Sequence, residues 1–399
     1  MSSTPSAPTT RSAAVFPRFR LAGSHRQIGR QFGEAASDLI RLHLERALGR
    51  LEAHSSLSRA DALAAAMQYR PYVQQFAPYL DEEVVGVAEG AGLKLDEAYL
   101  LQLRAEAASP PTAPAAPLGG ATGSTNGHAQ PRLTADDDAG DECTSVAVLP
   151  EATGQAYPDG GGGDALIAHN SDLPAFYREV SVVLEIVPDD APAVLMLTPA
   201  GQVSYIGLND AGLAVVANYL TCDGWRLGFP RYLLSRVALT HASVDDAIAA
   251  IRAIPRASSR NLLMLDAHGT AADLETTPTR DARLDPEDGI LAHANHYVAP
   301  SLLEEERTGD YIHNSSTRMN RIRELAEGLR GTLDVPSAQQ LLQDRACYPD
   351  ALCREPADSP TRDVMTFASL VAVPARRELW TAVGPPNQHA YQKHTFTPA

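Results

Sequence analysis

The sequence predicts an α+β protein whose core is a pair of antiparallel sheets covered by helices. Three observations support this prediction. Apolar side chains recur at helical spacing through the first hundred residues. From Cys143 onward the chain is instead a series of short strand-like runs. Two further blocks of helical spacing interrupt these runs, and helices segregated beside antiparallel strands are typical of the α+β class.

The helical half begins after a short strand around Phe19. Ser24 and Gln27 have the spacing of a capping box, and apolar residues follow at helical intervals. Gly29 and Gly33 lie on adjacent turns of this first helix, which indicates close packing against a neighbouring element. Helices are predicted over residues 24–51, 59–80 (with a kink or break at Pro71), 81–89 and 96–107.

Composition divides the chain into four segments. Residues 1–18 are rich in Ser, Thr, Pro and Ala and are predicted to be a disordered N-terminus. Residues 19–107 are the helical part. Residues 108–142 are mostly small residues with proline and glycine, too poor in large apolar groups to bury a core, and are predicted to be a disordered linker. Residues 143–399 are the strand-rich part, which completes one composite domain with the helices.

The strand-rich part contains many short runs bounded by turn residues. The segment 209–212 is predicted to be a hairpin turn, and the glycine run 160–163 a hairpin loop. Strands are predicted over residues 143–149, 165–168, 180–187, 193–198, 202–207, 213–218, 261–266, 271–275, 289–292, 366–373 and 378–382. Helices are predicted over residues 231–239, 244–252, 316–329 and 337–342.

Composition also excludes several classes of function. The 399 residues are 44% hydrophobic, enough for a substantial core. The net charge of −16 leaves no basic surface to neutralise phosphates, so no nucleic-acid partner is expected. No apolar run has the length of a secretory signal or a bilayer span, so we expect a soluble, cytoplasmic protein with no membrane partner. The four cysteines are expected to be thiols, and no spacing indicates a metal or a bound cofactor.

Cys143 is the residue that points to a reaction. It is the first residue of a predicted strand and follows a flexible acidic segment that ends in Glu142. A thiol in this position could become a new chain terminus if the chain cuts itself between Glu142 and Cys143. The freed α-amino group has an ordinary pKa of roughly 7.7–8.0 and could then serve as the base for its own thiol. We therefore predict an N-terminal nucleophile that acts through a thioester.

Such a nucleophile needs an acid to orient the amine, a donor for the oxyanion and a nearby cation. Asp172 follows the strand predicted to pair with that of Cys143, Asn295 follows a later strand, and Arg354 lies beside another cysteine. Taken singly, each has a structural interpretation: Asp172 as a turn residue, Asn295 as a backbone-capping amide, Arg354 as a surface charge. Arg318 is a second arginine in the sequence, and its place near the start of a helix favours a structural role.

Several stretches occur together in a recognisable order. They are Gly23 with Gly29-Arg30-Gln31-Phe32-Gly33, Asp141-Glu142-Cys143-Thr144-Ser145, His169-Asn170-Ser171-Asp172, Gly207-Leu208-Asn209-Asp210-Ala211-Gly212-Leu213, Ala294-Asn295-His296-Tyr297 and Leu352-Cys353-Arg354. In this order and spacing the chain resembles the acyl-coenzyme A:6-aminopenicillanic acid acyltransferase family, the C45 peptidase group of N-terminal nucleophile hydrolases. The resemblance covers nearly all of the chain from Arg20. It departs from the family in the insertion 105–140, the lengthened hairpin at 160–163, and Glu142, where some relatives have glycine.

The resemblance implies the N-terminal nucleophile hydrolase fold, a four-layer αββα sandwich. It implies that Cys143 is the nucleophile of self-cleavage and of catalysis, that Asp172 binds the new amino group, that Asn295 helps to form the oxyanion hole and that Arg354 assists. It also implies small-molecule substrates that are N-acylated amines, N-acyl amino acids or β-lactam nuclei, with acyl-CoA as a conceivable co-substrate. The chains 1–142 and 143–399 would stay associated after the cut, and association of like chains is left open.

Two alternatives remain. A papain-like cysteine hydrolase would pair Cys143 with a histidine such as His293 or His296. A strand rather than a helix follows Cys143, which disfavours this alternative. A binding protein that keeps the fold without catalysis would hold Cys143 as a buried thiol. Two polypeptides on a denaturing gel would support self-cleavage over both.

Overall fold

The computed structural model describes residues 14–55, 57–103, 106, 142–154, 163–307, 309, 311–356 and 363–398. Most of the predicted disordered segments 1–18 and 108–142 lie outside these residues, as does most of the glycine run 160–163. Two residues predicted to be disordered are instead packed: Phe16 lies in the core and Glu142 is buried. None of the helices described is long and apolar enough to cross a bilayer.

The larger sheet has eight strands. Its neighbours pair in antiparallel fashion except at one edge, where β1 runs parallel to β4. In spatial order the strands are β1 (Arg18–Gly23), β4 (Ser181–Pro188), β5 (Val194–Pro199), β6 (Ile206–Asn209), β7 (Leu213–Asn218), β8 (Arg260–Asp266), β9 (Ala271–Thr276) and β10 (Asp281–Leu284). The hairpin turn predicted at 209–212 joins β6 to β7, closed by a bond from Gly212 N–H to Asn209 O at 3.2 Å.

The smaller sheet has six strands and is antiparallel throughout. In spatial order they are β11 (Ile290–His293), β2 (Thr144–Val148), β3 (Leu166–Pro174), β12 (Val364–Val373), β13 (Glu378–Val383) and β14 (Gln392–Thr395). The strand that follows Cys143 therefore lies inside this sheet, between β11 and β3. Both of its edges are occupied by neighbours, so Cys143 starts a central strand.

Helices lie outside both sheets. They are α1 (His25–Ala35), α2 (Ser37–His54), α3 (Arg59–Met67), α4 (Arg70–Phe76), α5 (Pro78–Ala91), α6 (Leu95–Leu100), α7 (Tyr177–Val180), α8 (Leu234–Ala238), α9 (Val244–Arg252), α10 (Tyr311–Gly328) and α11 (Val335–Leu341). The predicted helix 24–51 is two helices that divide at Ala36. The predicted helix 59–80 spans α3, α4 and the start of α5. It breaks just before Pro71, whose ring suits the first turn of α4 but not a helix interior, and again at Ala77, so that the predicted helix 81–89 lies within α5.

Alternation along β2 shows how the layers are stacked. Ala147 belongs to the main core between the two sheets, whereas Val146 and Val148 belong to a second core under α10 and α11. Side chains that alternate in this way are buried on both faces of the strand. The order of layers is therefore helices, eight-stranded sheet, six-stranded sheet, helices, and the predicted four-layer αββα sandwich is confirmed. The sequence analysis missed β10 and β14, whose polar residues lack the apolar alternation of a half-buried strand.

The close packing predicted for the first helix is confirmed at its crossing with α5. A Cβ atom added at Gly29 would lie 2.0 Å from Glu83 O, and one added at Gly86 would lie 2.3 Å from Arg26 O. Neither distance leaves room for a methyl group. The glycines therefore let the two helix backbones touch, which fixes how the N-terminal helices lie on the eight-stranded sheet.

Gly29→Ala is expected to lower the free energy of unfolding by about 3 kcal/mol, because the new methyl group must push the α5 backbone away. The matched control is Gly49→Ala in α2, where an added Cβ meets nothing within 4 Å. That change should raise the free energy of unfolding by up to about 1 kcal/mol through helix propensity. Denaturant titration of both variants measures the difference, and equal stabilities would contradict the tight crossing.

Candidate active site

Cys143 is buried at the beginning of β2, with 3% of its surface exposed. The β2–β3 pairing continues one step past the strand, because the backbone N–H of Glu142 donates to Asp172 O at 3.1 Å. The bond between Glu142 and Cys143 is therefore held on the sheet beside Asp172. This arrangement brings together two of the residues that the sequence predicted.

Arg318 is the cation nearest to the Cys143 backbone. From α10 its Nη1 donates to Cys143 O at 2.6 Å and to Thr144 Oγ1 at 2.8 Å, and its Nη2 donates to Asn295 Oδ1 at 2.9 Å. Its Nε donates to Asn314 Oδ1 at 2.8 Å, one helical turn earlier. Burial lowers the pKa of this guanidinium below its usual value. The sequence favours a structural role for Arg318, whereas in the structure it lies at the candidate nucleophile.

Asn295 is held on three sides. Its Oδ1 accepts the bond from Arg318, its Nδ2 donates to Tyr219 O at 3.0 Å, and its backbone N–H donates to Ser315 Oγ at 2.7 Å. These bonds fix the orientation of the amide. Because Nδ2 carries a second hydrogen, it can still donate to a developing oxyanion.

Asp172 is completely buried on β3. Thr366 donates to Asp172 Oδ1 at 2.6 Å, and Asp172 Oδ2 lies 3.9 Å from Arg354 Nε without a hydrogen-bond partner among the described residues. Arg354 also forms a buried ion pair with the Glu142 carboxylate. Burial raises the pKa of Asp172 to about 7, although Arg354 and Arg318 act in the opposite direction. The predicted residues Asp172 and Arg354 thus lie together, beside the peptide bond between Glu142 and Cys143.

An irregularity in β12 sets this geometry. Asp172 is paired with Thr366, whereas its neighbour Ser171 is paired with Ala368, so Phe367 is an extra residue in the ladder. A β-bulge of this kind re-aims the side chains beside it. Here the bulge brings the Thr366 hydroxyl within bonding distance of both the Asp172 carboxylate and the Arg354 backbone N–H, the latter at 2.9 Å.

Asn218 is a site residue that the sequence analysis missed. It ends β7 in the opposite sheet, where its Nδ2 donates to His293 O at 3.2 Å and to Cys143 O at a longer 3.4 Å. Its Oδ1 accepts from Ser145 Oγ at 2.7 Å. The available signal was a single amide at the end of an otherwise apolar strand, Leu213 to Ala217, which by itself does not indicate a function.

The two histidines of the papain-like alternative have other partners. His293 is buried with Nε2 on Glu275 Oε1 at 2.7 Å and Nδ1 on Ala294 O at 2.9 Å. Burial would lower its pKa, but the carboxylates of Asp273 and Glu275 raise it to about 9. Both of its ring nitrogens are therefore occupied, and it is not placed to take a proton from Cys143.

His296 has its Nδ1 on Ser315 Oγ at 2.7 Å, and burial lowers its pKa to about 4. Its bond to Ser315 links it to the same hydroxyl that accepts from Asn295 N–H. This ring therefore supports the loop of Asn295. The contacts of both histidines disfavour a papain-like pair.

The buried Asp172 carboxyl predicts a pH dependence of stability that can be measured in uncut Cys143→Ala protein. Since its pKa is raised from an ordinary 3.8 to about 7, the native state binds the extra proton between these values. Stability should therefore fall as pH rises from 4 to 7. Adding Asp172→Asn should flatten this slope, whereas Asn at the exposed Asp223 should not. Urea unfolding at several pH values measures how the free energy of unfolding depends on pH. Equal slopes with and without Asp172→Asn would contradict the raised pKa of the buried Asp172 carboxyl.

The fold and the site together define the class of protein: a layered αββα protein with a buried cysteine at the beginning of a central strand. The family model described as acyl-coenzyme A:6-aminopenicillanic acid acyl-transferase matches residues 159–388. The chain belongs to this family, as its sequence motifs predicted, and acyl transfer or amide hydrolysis is accordingly its class of activity.

The chain is also similar to individual proteins. It is 26% identical over 370 residues to the 40 kDa form of acyl-coenzyme A:6-aminopenicillanic-acid-acyltransferase from Emericella nidulans, covering 92% of each chain. Among solved structures, a mutant of conjugated bile acid hydrolase from Clostridium perfringens is 12% identical with a TM-score of 0.39, over 64% of this chain and 97% of its own. Penicillin V acylase from Agrobacterium tumefaciens is 13% identical with a TM-score of 0.40, over 60% and 82%.

Proposed function

We propose that the chain cuts itself between Glu142 and Cys143 and then acts as an N-terminal cysteine amidohydrolase or acyltransferase on N-acyl amines. The observation that carries this proposal is that three buried charged side chains converge on the peptide bond between Glu142 and Cys143. Its two residues contact the buried groups Asp172, Arg318 and Arg354, which come from three separate elements. Burying charged groups costs folding free energy, and clusters of buried charges are enriched at functional sites.

In the processing step the Cys143 thiolate attacks the carbonyl carbon of Glu142. The C–N bond breaks, the amine takes up a proton, and Glu142 is left as a thioester on Cys143. Water then hydrolyses the thioester and releases the Glu142 carboxylate. The new ammonium group needs an acceptor, and the nearby Asp172 Oδ2 has no hydrogen-bond partner among the described residues. Asp172 would therefore bind and orient the terminal amine.

Departure of Glu142 changes the charge of the site. Before the cut, two guanidiniums, Arg318 and Arg354, face two carboxylates, Glu142 and Asp172. After the cut only Asp172 remains of the two acids, and a cation is added at the terminal amine. A more positive surrounding favours the thiolate over the thiol. Cleavage would thus activate the nucleophile electrostatically as well as expose it.

In turnover, the terminal amine accepts the thiol proton and the thiolate attacks the acyl carbonyl of the substrate. Asn295 Nδ2 would donate to the oxyanion, and the protonated amine would return its proton to the departing amine. The acyl group remains on Cys143 as a thioester. Water as acceptor completes amide hydrolysis, whereas an amine completes acyl transfer, and acyl-CoA would be an alternative acyl donor.

The two chains made by the cut would stay together. Residues from α1 to α6 and from the strands after Cys143 share the main core. Buried polar contacts cross the same boundary: Arg236 Nη2 donates to Glu83 Oε1 at 2.7 Å, and Gln102 Nε2 donates to Gly201 O at 2.8 Å. Separation would expose this apolar surface and take the Arg236 guanidinium away from the buried Glu83 carboxylate, so it is strongly opposed.

The first test is the intact mass of freshly purified protein. We expect two species, residues 1–142 and 143–399, with Cys143 at the new N-terminus and alkylated by a thiol-directed substrate mimic. A screen of N-acyl amines with and without acyl-CoA then identifies the preferred acyl donor. A single uncut species that is inert toward the mimic would overturn the proposal.

Asp172→Asn and Arg354→Ala are each expected to fold but to lose most of the acyl-transfer or hydrolytic activity, by about 100-fold, because the amine or the thiolate loses its charged partner. Steady-state kinetics on material that has been cut to completion measures the loss. Arg345→Ala is the matched control for Arg354, since Arg345 lies nearby but pairs with Glu355. A wild-type rate in either site variant would remove that residue from the mechanism.

A further inference from the structure

A buried arginine close to the nucleophile is not used in the mechanism above. Arg260 begins β8 and is 2% exposed, with its Cζ 4.4 Å from the ring centroid of Tyr232. The Tyr232 ring lies 6.0 Å from that of Tyr205, whose hydroxyl donates to Ser171 Oγ at 3.4 Å. Ser171 Oγ in turn is 2.8 Å from His169 Nε2. We call these five residues the Arg260 cluster.

Arg260 has no anionic partner among the residues that the structure describes. Its Nε and Nη2 atoms have no hydrogen-bond acceptor there, and it forms no ion pair with a described carboxylate. The neighbouring Arg231 contrasts with it, because Arg231 Nε lies 3.6 Å from Glu106 Oε2. A buried guanidinium with unpaired donors is costly to the fold. This is the arrangement expected of a group whose partner arrives with a ligand.

The Arg260 cluster is joined to Cys143 through β3. On β3, His169 is paired with Ser145, two residues beyond Cys143. One step further along this ladder, between the Thr144–Asn170 pair and the bond from Glu142 N–H to Asp172 O, Ser171 lies opposite Cys143. The cluster therefore lies within the reach of a small molecule whose acyl carbonyl is at Cys143.

We propose that the Arg260 cluster is an anion subsite that binds a carboxylate of the substrate, with Arg260 as the residue that selects for it. This proposal rests on the proposed function and narrows the substrates to amides that carry a carboxylate. Arg260 Nε and Nη2 would donate to the two carboxylate oxygens in the bidentate geometry that a guanidinium favours. The hydroxyl of Ser171, which accepts a bond from Tyr205, can donate a further bond to the same anion.

The chemistry of the cluster favours a single negative charge. Burial and the nearby Arg260 lower the pKa of His169 to about 3, so this ring is neutral at physiological pH and adds no second cation. His169 Nδ1 has no described hydrogen-bond partner, so it is available to a ligand. The Tyr232 ring covers the guanidinium with apolar surface, and the Tyr205 ring packs against that of Tyr232. Arg231 has its Cζ 5.1 Å from the same Tyr232 ring but pairs with Glu106, so Arg260 is the cation left for a ligand. One such cation, a neutral hydroxyl donor and an aromatic wall suit a monoanionic carboxylate better than a phosphate.

The test compares N-acylglycines, from acetyl to octanoyl, with the matching N-acylglycinamides on fully processed protein. We expect the wild type to prefer the acid, and Arg260→Met to reduce the ratio of acid to amide kcat/KM by about 10- to 100-fold. Arg260→Lys, which keeps the charge but not the fork, should retain part of this preference. Arg252→Met, on the surface of α9, should leave the ratio unchanged.

Melting temperatures give a second measure that needs no turnover. The acid should raise the melting temperature of the wild type but not of Arg260→Met, and that variant should be no less stable than the wild type without ligand. An Arg260-dependent shift without turnover would support the subsite while the proposed function fails. If the protein turns over these substrates but Arg260→Met leaves the ratio of acid to amide kcat/KM unchanged, the proposed subsite is wrong while the proposed function stands. Marked destabilisation of Arg260→Met would overturn it too, because it would indicate a resident partner within the chain.

Discussion

Replacing Cys143 with alanine is expected to leave a single polypeptide of 399 residues and to reduce acyl turnover to the background rate. No other group in the proposed mechanism can form the thioester, so both reactions depend on this one sulfur. The fold should survive, since the lost atom is small and the site keeps its charges in balance in the uncut chain. Intact mass, a melting curve and turnover of the best N-acyl amine measure the three expectations.

Cys222→Ala is the matched control for this experiment. Cys222 is also buried, and burial raises the pKa of its thiol to about 11, so it is expected to be unreactive. Its loss should change neither the cut nor the turnover. If Cys143→Ala is still cut, or Cys222→Ala is not, the nucleophile has been assigned to the wrong residue.

The second large effect is expected at Arg318. Arg318→Met should lower the free energy of unfolding by about 3–5 kcal/mol, since it leaves Asn295 Oδ1, Thr144 Oγ1 and the Cys143 carbonyl without their donor beside buried acids. Turnover should fall by about 100- to 1,000-fold, because Asn295 loses the bond that orients its amide toward the oxyanion. Denaturant titration of the uncut Cys143→Ala background separates the stability effect from processing.

Arg323→Met tests whether the effect belongs to the position or to the helix. Arg323 lies on α10 as well, but its side chain is 45% exposed and pairs with Glu287 and Glu327 at the surface. Surface pairs contribute little, so its loss should cost less than about 1 kcal/mol and leave turnover intact. Arg318→Lys keeps the charge but not the fork of donors. A fully active Arg318→Lys would show that charge alone suffices.

The layers of the fold could be predicted from the sequence, because helices and strands leave local patterns of apolar and turn residues. The Ser24 and Gln27 pair begins α1 as predicted, with the Ser24 backbone N–H donating to Gln27 Oε1 at 3.0 Å. Most strands after Cys143 followed from their length and turn residues, but the strand predicted at 202–207 is observed at Ile206–Asn209, and the one predicted at 165–168 continues to Pro174. Polar edge strands such as β14 were missed, because their side chains show no apolar alternation and the strand forms only by pairing with its neighbour in the sheet.

The site was predicted in part. Asp172, Asn295 and Arg354 do lie around Cys143, although the roles proposed for them stay predictions. Arg318 was given a structural role because its helix was predicted to begin at Ser316, which would place it in the first turn. The helix begins at Tyr311, and Arg318 lies within it, facing the sheet. Asn218 was missed because it reaches Cys143 from the opposite sheet.

The order of motifs along the chain determined the family and singled out Cys143 as the candidate nucleophile, because local spacing records which residue types must follow one another. Tertiary structure alone decided which charges share the buried space around that cysteine. Arg318, Arg354 and Arg260 are alike in sequence, each an arginine without an obvious local partner. Their neighbours come from strands and helices far away in the chain, and a charge acquires its chemical role only from the groups buried beside it.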